Sequence, residues 1–149
     1  MEKKDVLTKI LAIIGTIFAW FPLLAPVVFS GIRFLQAGDF MFDFLMPAEL
    51  APVALAGGLW LLWAAFRARS RRKLIGWGIG IAVLFLFGGQ ALAVATGLSS
   101  GETEPASLPW ALVLASLGIY ILALIAVAVG GILLLRDVFK PAPAQPVTP

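Results

Sequence analysis

The chain has 149 residues, of which 61% are hydrophobic and 13% are charged. Soluble domains are about 25% charged, so this composition excludes a soluble globular protein and leaves room for one helical membrane domain. The sequence has no cysteine and no histidine, which excludes disulfides, Cys/His zinc sites, His-ligated haem and histidine general bases, and we expect no cofactor.

Four apolar runs follow one another along the chain, over about residues 10–34, 49–66, 74–96 and 108–135. Each is long enough, or nearly so, to cross about 30 Å of hydrocarbon as a helix. No run shows the sustained alternation of a strand, and an open sheet would leave backbone groups unpaired in lipid. We therefore predict an all-α protein, with one four-helix transmembrane bundle over residues 1–140. The first run is too long for a signal peptide and is expected to be a retained span.

The first run contains two prolines, Pro22 and Pro26, close to Trp20. Each proline removes a backbone donor and frees a carbonyl one turn earlier, which predicts a kink. In membrane proteins such breaks can line a cavity or a binding site. A packed kink without a ligand is the simpler interpretation, and both remain open.

The connection after the first run combines an isolated arginine with several carboxylates. Asp39 and Asp43 lie one helical turn apart among aromatic and aliphatic residues, which predicts a short interfacial helix or re-entrant turn at the outer surface. Arg33 is close enough in sequence to pair with Asp43 or Glu49 as an interfacial ion pair. The functional alternative is an anion clamp for a lipid phosphate, with the carboxylates as acid and base.

The third and fourth runs carry the most prominent polar residues inside a span, Gln90 and Tyr120. Gln90 is interpreted first as an interhelical hydrogen-bonding residue, a contact that contributes about 0.6–2 kcal/mol in membranes. The alternative is that Gln90 and Tyr120 face an outward cavity and bind a polar headgroup or solute. Apart from Tyr120, no ionisable residue lies deep in a run, which argues against proton- or ion-coupled transport.

Small residues recur at four-residue spacing, as in Gly76 and Gly80, and indicate close helix packing or a surface for self-association. Two Gly-Gly pairs, at 57–58 and 130–131, precede similar apolar sequences in the second and fourth runs. They suggest a duplication of two hairpins, although coincidence explains them as well.

Basic residues flank the runs unevenly. Of the 11 lysines and arginines, all but Arg33 lie before the first run, between the second and third, or after the fourth. The positive-inside rule therefore predicts that both termini are cytoplasmic. The same placement accounts for the net charge of +3 without a nucleic-acid partner. Residues 141–149 are rich in proline and are predicted to form a disordered cytoplasmic tail.

These features predict a small multi-pass protein of the cytoplasmic (inner) membrane, a non-catalytic accessory or lipid-associated component whose partners are membrane lipids. A second membrane subunit is a further candidate partner. One alternative is a homo-oligomeric channel or carrier with a path near Trp20, the Pro22/Pro26 break, Gln90 and Tyr120. The other is a lipid-directed enzyme acting at the outer face through Arg33, Asp43 and Glu49.

Overall fold

The computed structural model describes residues 2–38, 50–102, 104 and 106–141 of the chain. Within these residues it contains no strand and four α-helices, which are α1 (Glu2–Ala37), α2 (Ala51–Ala68), α3 (Arg72–Ala95) and α4 (Leu108–Phe139). The prediction of an all-helical chain with four long helices is confirmed. Helix α1 begins before its apolar run and α4 ends after its own, since glutamate, lysine and arginine beside those runs are good helix formers.

All four helices are long and apolar enough to cross a membrane. Large hydrophobic side chains cover the outer surface of the bundle, as at Leu122, which is 65% exposed. A continuous apolar surface of this kind is unfavourable in water and well solvated by lipid chains. The structure therefore fits a small multi-pass membrane protein.

The helices form an antiparallel bundle in which α1 packs mainly on α2, and α3 mainly on α4. The two hairpins meet chiefly through α1 and α4. The start of α1, the α2–α3 turn and the end of α4 lie together, since Arg67 contacts Thr8 and Ser70 contacts Asp137. We call this the basic end of the bundle, because residues 67–73, Lys9 and Lys140 are located there. The end of α1 and the α3–α4 connection lie at the opposite end.

The α2–α3 turn is tight, and two of its residues have left-handed backbones. Arg69 has a φ of 52° and Arg71 a φ of 56°. The Ser70 amide donates to the Ala65 carbonyl at 3.2 Å, which closes the last turn of α2. Glycine is the usual residue at such a helix end, and a left-handed backbone costs other residues about 1–2 kcal/mol. Contacts of the turn with α4 offset this cost.

The core is built largely from small residues, so the helices approach one another closely. Its larger buried cluster combines several alanines with a few branched side chains, among them Leu61, Ile75, Val127 and Leu134. The smaller cluster surrounds Tyr120. In lipid, close backbone approach replaces the hydrophobic effect as the main source of helix association.

One glycine of each Gly-Gly pair faces α1: Gly57, the first of its pair, and Gly131, the second of its pair. A Cβ added to Gly57 would lie 2.8 Å from the backbone carbonyl carbon of Phe18. A Cβ added to Gly131 would lie 2.8 Å from the Thr16 hydroxyl oxygen. Both distances are shorter than real side-chain contacts. At Gly57 the atoms met are backbone atoms of α1, so only glycine fits, whereas at Gly131 neighbouring side chains would have to shift.

The other member of each Gly-Gly pair is turned toward α3. A Cβ on Gly58 would lie 3.1 Å from Cγ1 of Ile79, and one on Gly130 would lie 2.9 Å from Cγ1 of Ile75. The two pairs therefore occupy equivalent positions, each between α1 and α3. The similarity that the sequence suggests thus corresponds to a shared packing role of α2 and α4.

Gly76 and Gly80 of α3, by contrast, do not pack closely against a neighbouring helix. A Cβ on Gly80 would meet nothing within 4 Å, and one on Gly76 would meet only Cδ1 of Leu62, at 3.7 Å. Trp77, between them, is 72% exposed. The α3 glycine that packs closely is Gly78, whose Cβ would lie 2.6 Å from Cγ2 of Val127. The surface at Gly76 and Gly80 therefore faces outward.

Some expectations concern residues outside the described ranges. They are the interfacial segment at 39–46, the carboxylates Asp43 and Glu49, and the tail beyond residue 141. These stay predictions.

Candidate functional site

A cavity of about 300 Å³ lies between α3 and α4, in the half of the bundle away from the basic end. Its walls are mainly apolar, with Phe85 and Leu86 on α3 and Val113 and Leu117 on α4. Known ligand pockets start at about this volume and are mostly apolar with few polar groups. The cavity is therefore the best candidate for a binding site in the described part of the chain.

Helix α3 provides one wall of the cavity through residues that recur at intervals of three to four. These include Gly89, Gln90 and Ala93 in addition to the apolar residues named above. Gly89 is buried, and a Cβ there would lie 3.2 Å from Cβ of Ser116 on α4. The glycine thus lets α3 approach α4 beside the cavity, whereas larger residues line the cavity itself.

Helix α4 provides the opposite wall, and Tyr120 is its most buried member. Tyr120 is 1% exposed and belongs to the smaller core cluster. Its hydroxyl has no hydrogen-bond partner among the residues that the structure describes. An unpaired buried hydroxyl costs about 1–3 kcal/mol in proteins. A ligand that paired with this hydroxyl would remove the cost.

The α3–α4 connection closes one end of the cavity through Leu98 and Ser99. The chain turns back at Gly97, which has a φ of 72°. The Ser99 amide then donates to the Ala93 carbonyl at 3.2 Å, and the Glu102 amide donates to the Gly97 carbonyl at 3.1 Å. A left-handed glycine is needed here because the connection must reverse direction within one turn of the helix end.

Gln90 lines the same cavity as Tyr120 but is exposed, so it lies near the rim while Tyr120 lies deep. Its side chain forms no hydrogen bond with any other described residue, so the interhelical bond considered from the sequence is not formed among them. The structure thus brings together the two intramembrane polar residues that the sequence singled out.

The other residues predicted within the first run are located elsewhere. Helix α1 passes through Pro22 and Pro26 without interruption, and both prolines are buried. Trp20 packs on the larger core cluster, and its indole N–H has no partner among the described residues. None of the three lines the α3–α4 cavity, whose described lining includes no residue of α1.

The residues considered for chemistry at the outer face are described only in part. Arg33 is exposed near the end of α1, at the opposite end from the basic residues. Asp43 and Glu49 lie outside the described residues, so no geometry relates them to Arg33.

A cluster at the basic end was missed in the sequence. Asp137 Oδ2 accepts hydrogen bonds from Ser70 Oγ at 2.8 Å and from Arg71 Nε at 3.0 Å. Its Oδ1 lies 3.7 Å from Lys140 Nζ. The available signal was a single acid among basic residues: Asp137 follows Arg136 and precedes Lys140 by three positions, a spacing that favours a helical ion pair.

Comparison of the chain with protein-family models, with curated proteins and with solved structures finds no match.

Proposed function

We propose that the protein is a non-catalytic, lipid-associated component of the cytoplasmic membrane, and that the α3–α4 cavity receives part of one amphiphilic molecule. The observation that carries the proposal is the combination of apolar walls with two polar groups at different depths, Gln90 at the rim and Tyr120 inside. An apolar chain suits the walls, and a hydroxyl, ester or amide group suits the polar side chains.

The volume of the cavity limits the size of the ligand. About 300 Å³ is at the lower end for ligand pockets, so it suits a segment of a single chain and not an entire two-chain phospholipid. We therefore propose a single-chain amphiphile, or one chain of a lipid whose remainder stays in the bilayer.

The binding site can be tested by filling the cavity. Leucine in place of Ala93, which lines the cavity, would occupy part of its volume. Ala91, on the same helix, is exposed and does not line the cavity, so Ala91→Leu is the matched control. The probe is lysophosphatidylcholine, added to delipidated protein and counted by native mass spectrometry.

We expect one retained lysophosphatidylcholine in the unmodified protein and in Ala91→Leu, and loss of that molecule in Ala93→Leu. Equal retention by the two variants would contradict the proposal, because binding would then occur elsewhere on the apolar surface. Gln90→Leu and Tyr120→Phe then test whether the polar groups contribute.

The orientation is part of the same proposal. It is supported by the collection of basic side chains at one end of the bundle, which is the end that the positive-inside rule assigns to the cytoplasm. Reporter fusions at Ser100 and at the C-terminus should be found on opposite sides of the membrane, with the C-terminus inside. The reverse result would overturn the assignment.

Self-association is a second candidate, favoured by the outward surface at Gly76, Trp77 and Gly80. No described side chain covers Gly80, and small residues on an exposed helix face permit close approach of another helix. A homo-oligomeric channel or carrier would need such a contact. The mass of the detergent-solubilised protein tests it, with Gly80→Leu as the disrupting variant. Gly118→Leu is the control, since Gly118 is equally open but lies on α4.

The third candidate, an enzyme at the outer face, has no geometric support from the described residues. It predicts that Asp43→Asn and Glu49→Gln abolish a cellular function. We expect both variants to behave like the unmodified protein.

A further inference from the structure

A second cavity, of about 390 Å³, lies at the basic end and differs in character from the first. Its lining is mainly polar and comes from three helices and the α2–α3 turn. The polar residues that line it are Thr8, Lys9, Arg67, Ser70, Asp137 and Lys140. The cavity lies where the helices end, at the depth of lipid headgroups if the spans cross the bilayer.

Three of these side chains are cations that come from separate parts of the chain, Lys9 of α1, Arg67 of α2 and Lys140 after α4. Like charges around one cavity repel each other, and an anion among them makes the arrangement favourable. In the described part of the chain, neither Lys9 nor Arg67 forms an ion pair with a carboxylate. The contact found for the Lys9 ammonium is with the Phe139 ring, 5.3 Å from its centroid.

Among the lining residues that the structure describes, Asp137 is the one carboxylate, and it is already paired with its neighbours. One of its oxygens accepts from Ser70 and Arg71, and the other lies near the Lys140 ammonium. It therefore joins α4 to the turn, and the described lining, with three cations against this one carboxylate, keeps an excess of two positive charges.

Arg67 is held in a geometry that suits an oxyanion. Its Nε lies 3.3 Å from the Thr8 hydroxyl oxygen, which accepts the hydrogen bond. This contact uses one donor and restricts the plane of the guanidinium, so that its two terminal nitrogens are able to donate in parallel. Such paired donors match the oxygens of a phosphate better than those of any neutral ligand.

We propose that the cavity at the basic end binds a phosphate group, with Arg67 as the paired donor and Lys9 and Lys140 as flanking cations. A phosphate monoester, which carries between one and two negative charges at neutral pH, matches the excess of positive charge. The group comes either from a lipid headgroup or from a soluble phosphate. This inference is independent of the α3–α4 cavity.

The test uses the full chain in nanodiscs at constant ionic strength, in two arms. In the first, the phosphatidylcholine bilayer contains phosphatidic acid, and the buffer contains no phosphate. In the second, the bilayer is phosphatidylcholine alone, and inorganic phosphate is added to the buffer. The measurement is the shift of the thermal unfolding temperature as the probe is titrated.

We expect a saturable shift, with an apparent affinity that falls about tenfold or more in Arg67→Gln and in Lys140→Gln, since hydrogen bonds to charged groups are lost. Lys140→Gln loses only the 3.7 Å contact of Lys140 with Asp137 and keeps the bonds of Asp137 to Ser70 and Arg71 as well as the contact between Arg67 and Thr8, so a tenfold loss of binding is not explained by a disturbed fold. Arg69→Gln is the matched control, because it removes the same charge from the basic end, two positions away, but lies outside the cavity. It should retain the unmodified affinity.

A shift in the first arm alone assigns the site to a lipid headgroup, and a shift in both arms assigns it to the phosphate group from either source. A shift in the second arm alone assigns it to soluble phosphate. The inference is overturned if neither arm gives a saturable shift. It is equally overturned if Arg67→Gln and Arg69→Gln weaken binding to the same extent, because only general surface charge would then be involved.

Discussion

The two hairpins of the bundle are packed in different ways. In the α1–α2 hairpin, a glycine on one helix meets the backbone of the other: a Cβ on Gly15 would lie 2.9 Å from the Leu61 amide nitrogen, and one on Gly57 would meet Phe18. In the α3–α4 hairpin, Gly78 and Gly89 meet mainly side chains of α4, and a cavity lined by Phe85 and Tyr120 lies between the two helices. The size of the residues at each crossing thus decides where the bundle is closed and where it can hold a ligand.

The largest effect on stability is expected in the α1–α2 hairpin. Gly57→Ala places a methyl group 2.8–2.9 Å from backbone atoms of Phe18 and Ala19, and backbone atoms cannot move aside without separating the helices. Overpacking of this kind lowers the free energy of unfolding by about 1–3 kcal/mol. Denaturant unfolding in detergent micelles measures it. No loss of stability would mean that α1 and α2 are not this close.

In the α3–α4 hairpin, Tyr120→Phe should raise the free energy of unfolding, the opposite of the effect of Gly57→Ala. The change removes a buried hydroxyl that has no partner among the described residues, so the ligand-free protein should gain about 1 kcal/mol in unfolding free energy. The same variant should bind lysophosphatidylcholine more weakly if the ligand pairs with the hydroxyl. Thermal unfolding with and without the amphiphile separates the two effects. A loss of stability without ligand would show that the hydroxyl has a partner.

The turn that joins the two hairpins gives a smaller effect. Arg69→Gly replaces an exposed arginine at a φ of 52° by the residue that adopts this conformation most easily. Relief of the backbone cost exceeds the extra entropy of glycine in the unfolded chain, for a net gain of about 0.5–1 kcal/mol. Thermal unfolding measures the gain. Ala68→Gly, one position earlier and inside α2, should instead be destabilising.

The outward face of α3 gives the smallest effect on the isolated subunit. Gly80→Ala adds a methyl group where no atom lies within 4 Å and removes a flexible residue from a helix interior. We expect a gain of about 0.5 kcal/mol in micelles, from helix propensity alone. The sign is opposite to that of Gly57→Ala, although both exchanges are chemically identical. A marked loss together with a lower molecular mass would indicate that a second copy covers Gly80.

The number and type of helices could be predicted from the sequence, because they depend on local composition. A run of about 20 apolar residues in lipid must pair its backbone groups within itself, and only a helix does so along one segment. Gln90 and Tyr120 could also be selected as candidates, since large polar side chains are rare inside spans and stand out without any structure.

The contacts of Asp137 at the basic end could not be predicted from the sequence. Asp137 follows Arg136 in a segment whose other charged residues are basic. In a count of flanking charges it only lowers the positive total by one. In the structure, Asp137 accepts hydrogen bonds from Ser70 and Arg71, which are more than 60 positions earlier in the chain. Only the return of α4 to the α2–α3 turn places these groups within hydrogen-bond distance.

By itself, the sequence determined that the chain forms apolar helices, since this follows from the cost of unpaired backbone groups in hydrocarbon. Which glycines face a neighbouring helix and which face outward was decided by the tertiary structure, as Gly78 and Gly80 show two positions apart on α3. The reason is that periodicity assigns residues to a face of a helix, whereas the rotation of each helix against its neighbours depends on all the side chains that meet at the crossing. The same rotation brought Gln90 and Tyr120 to one cavity.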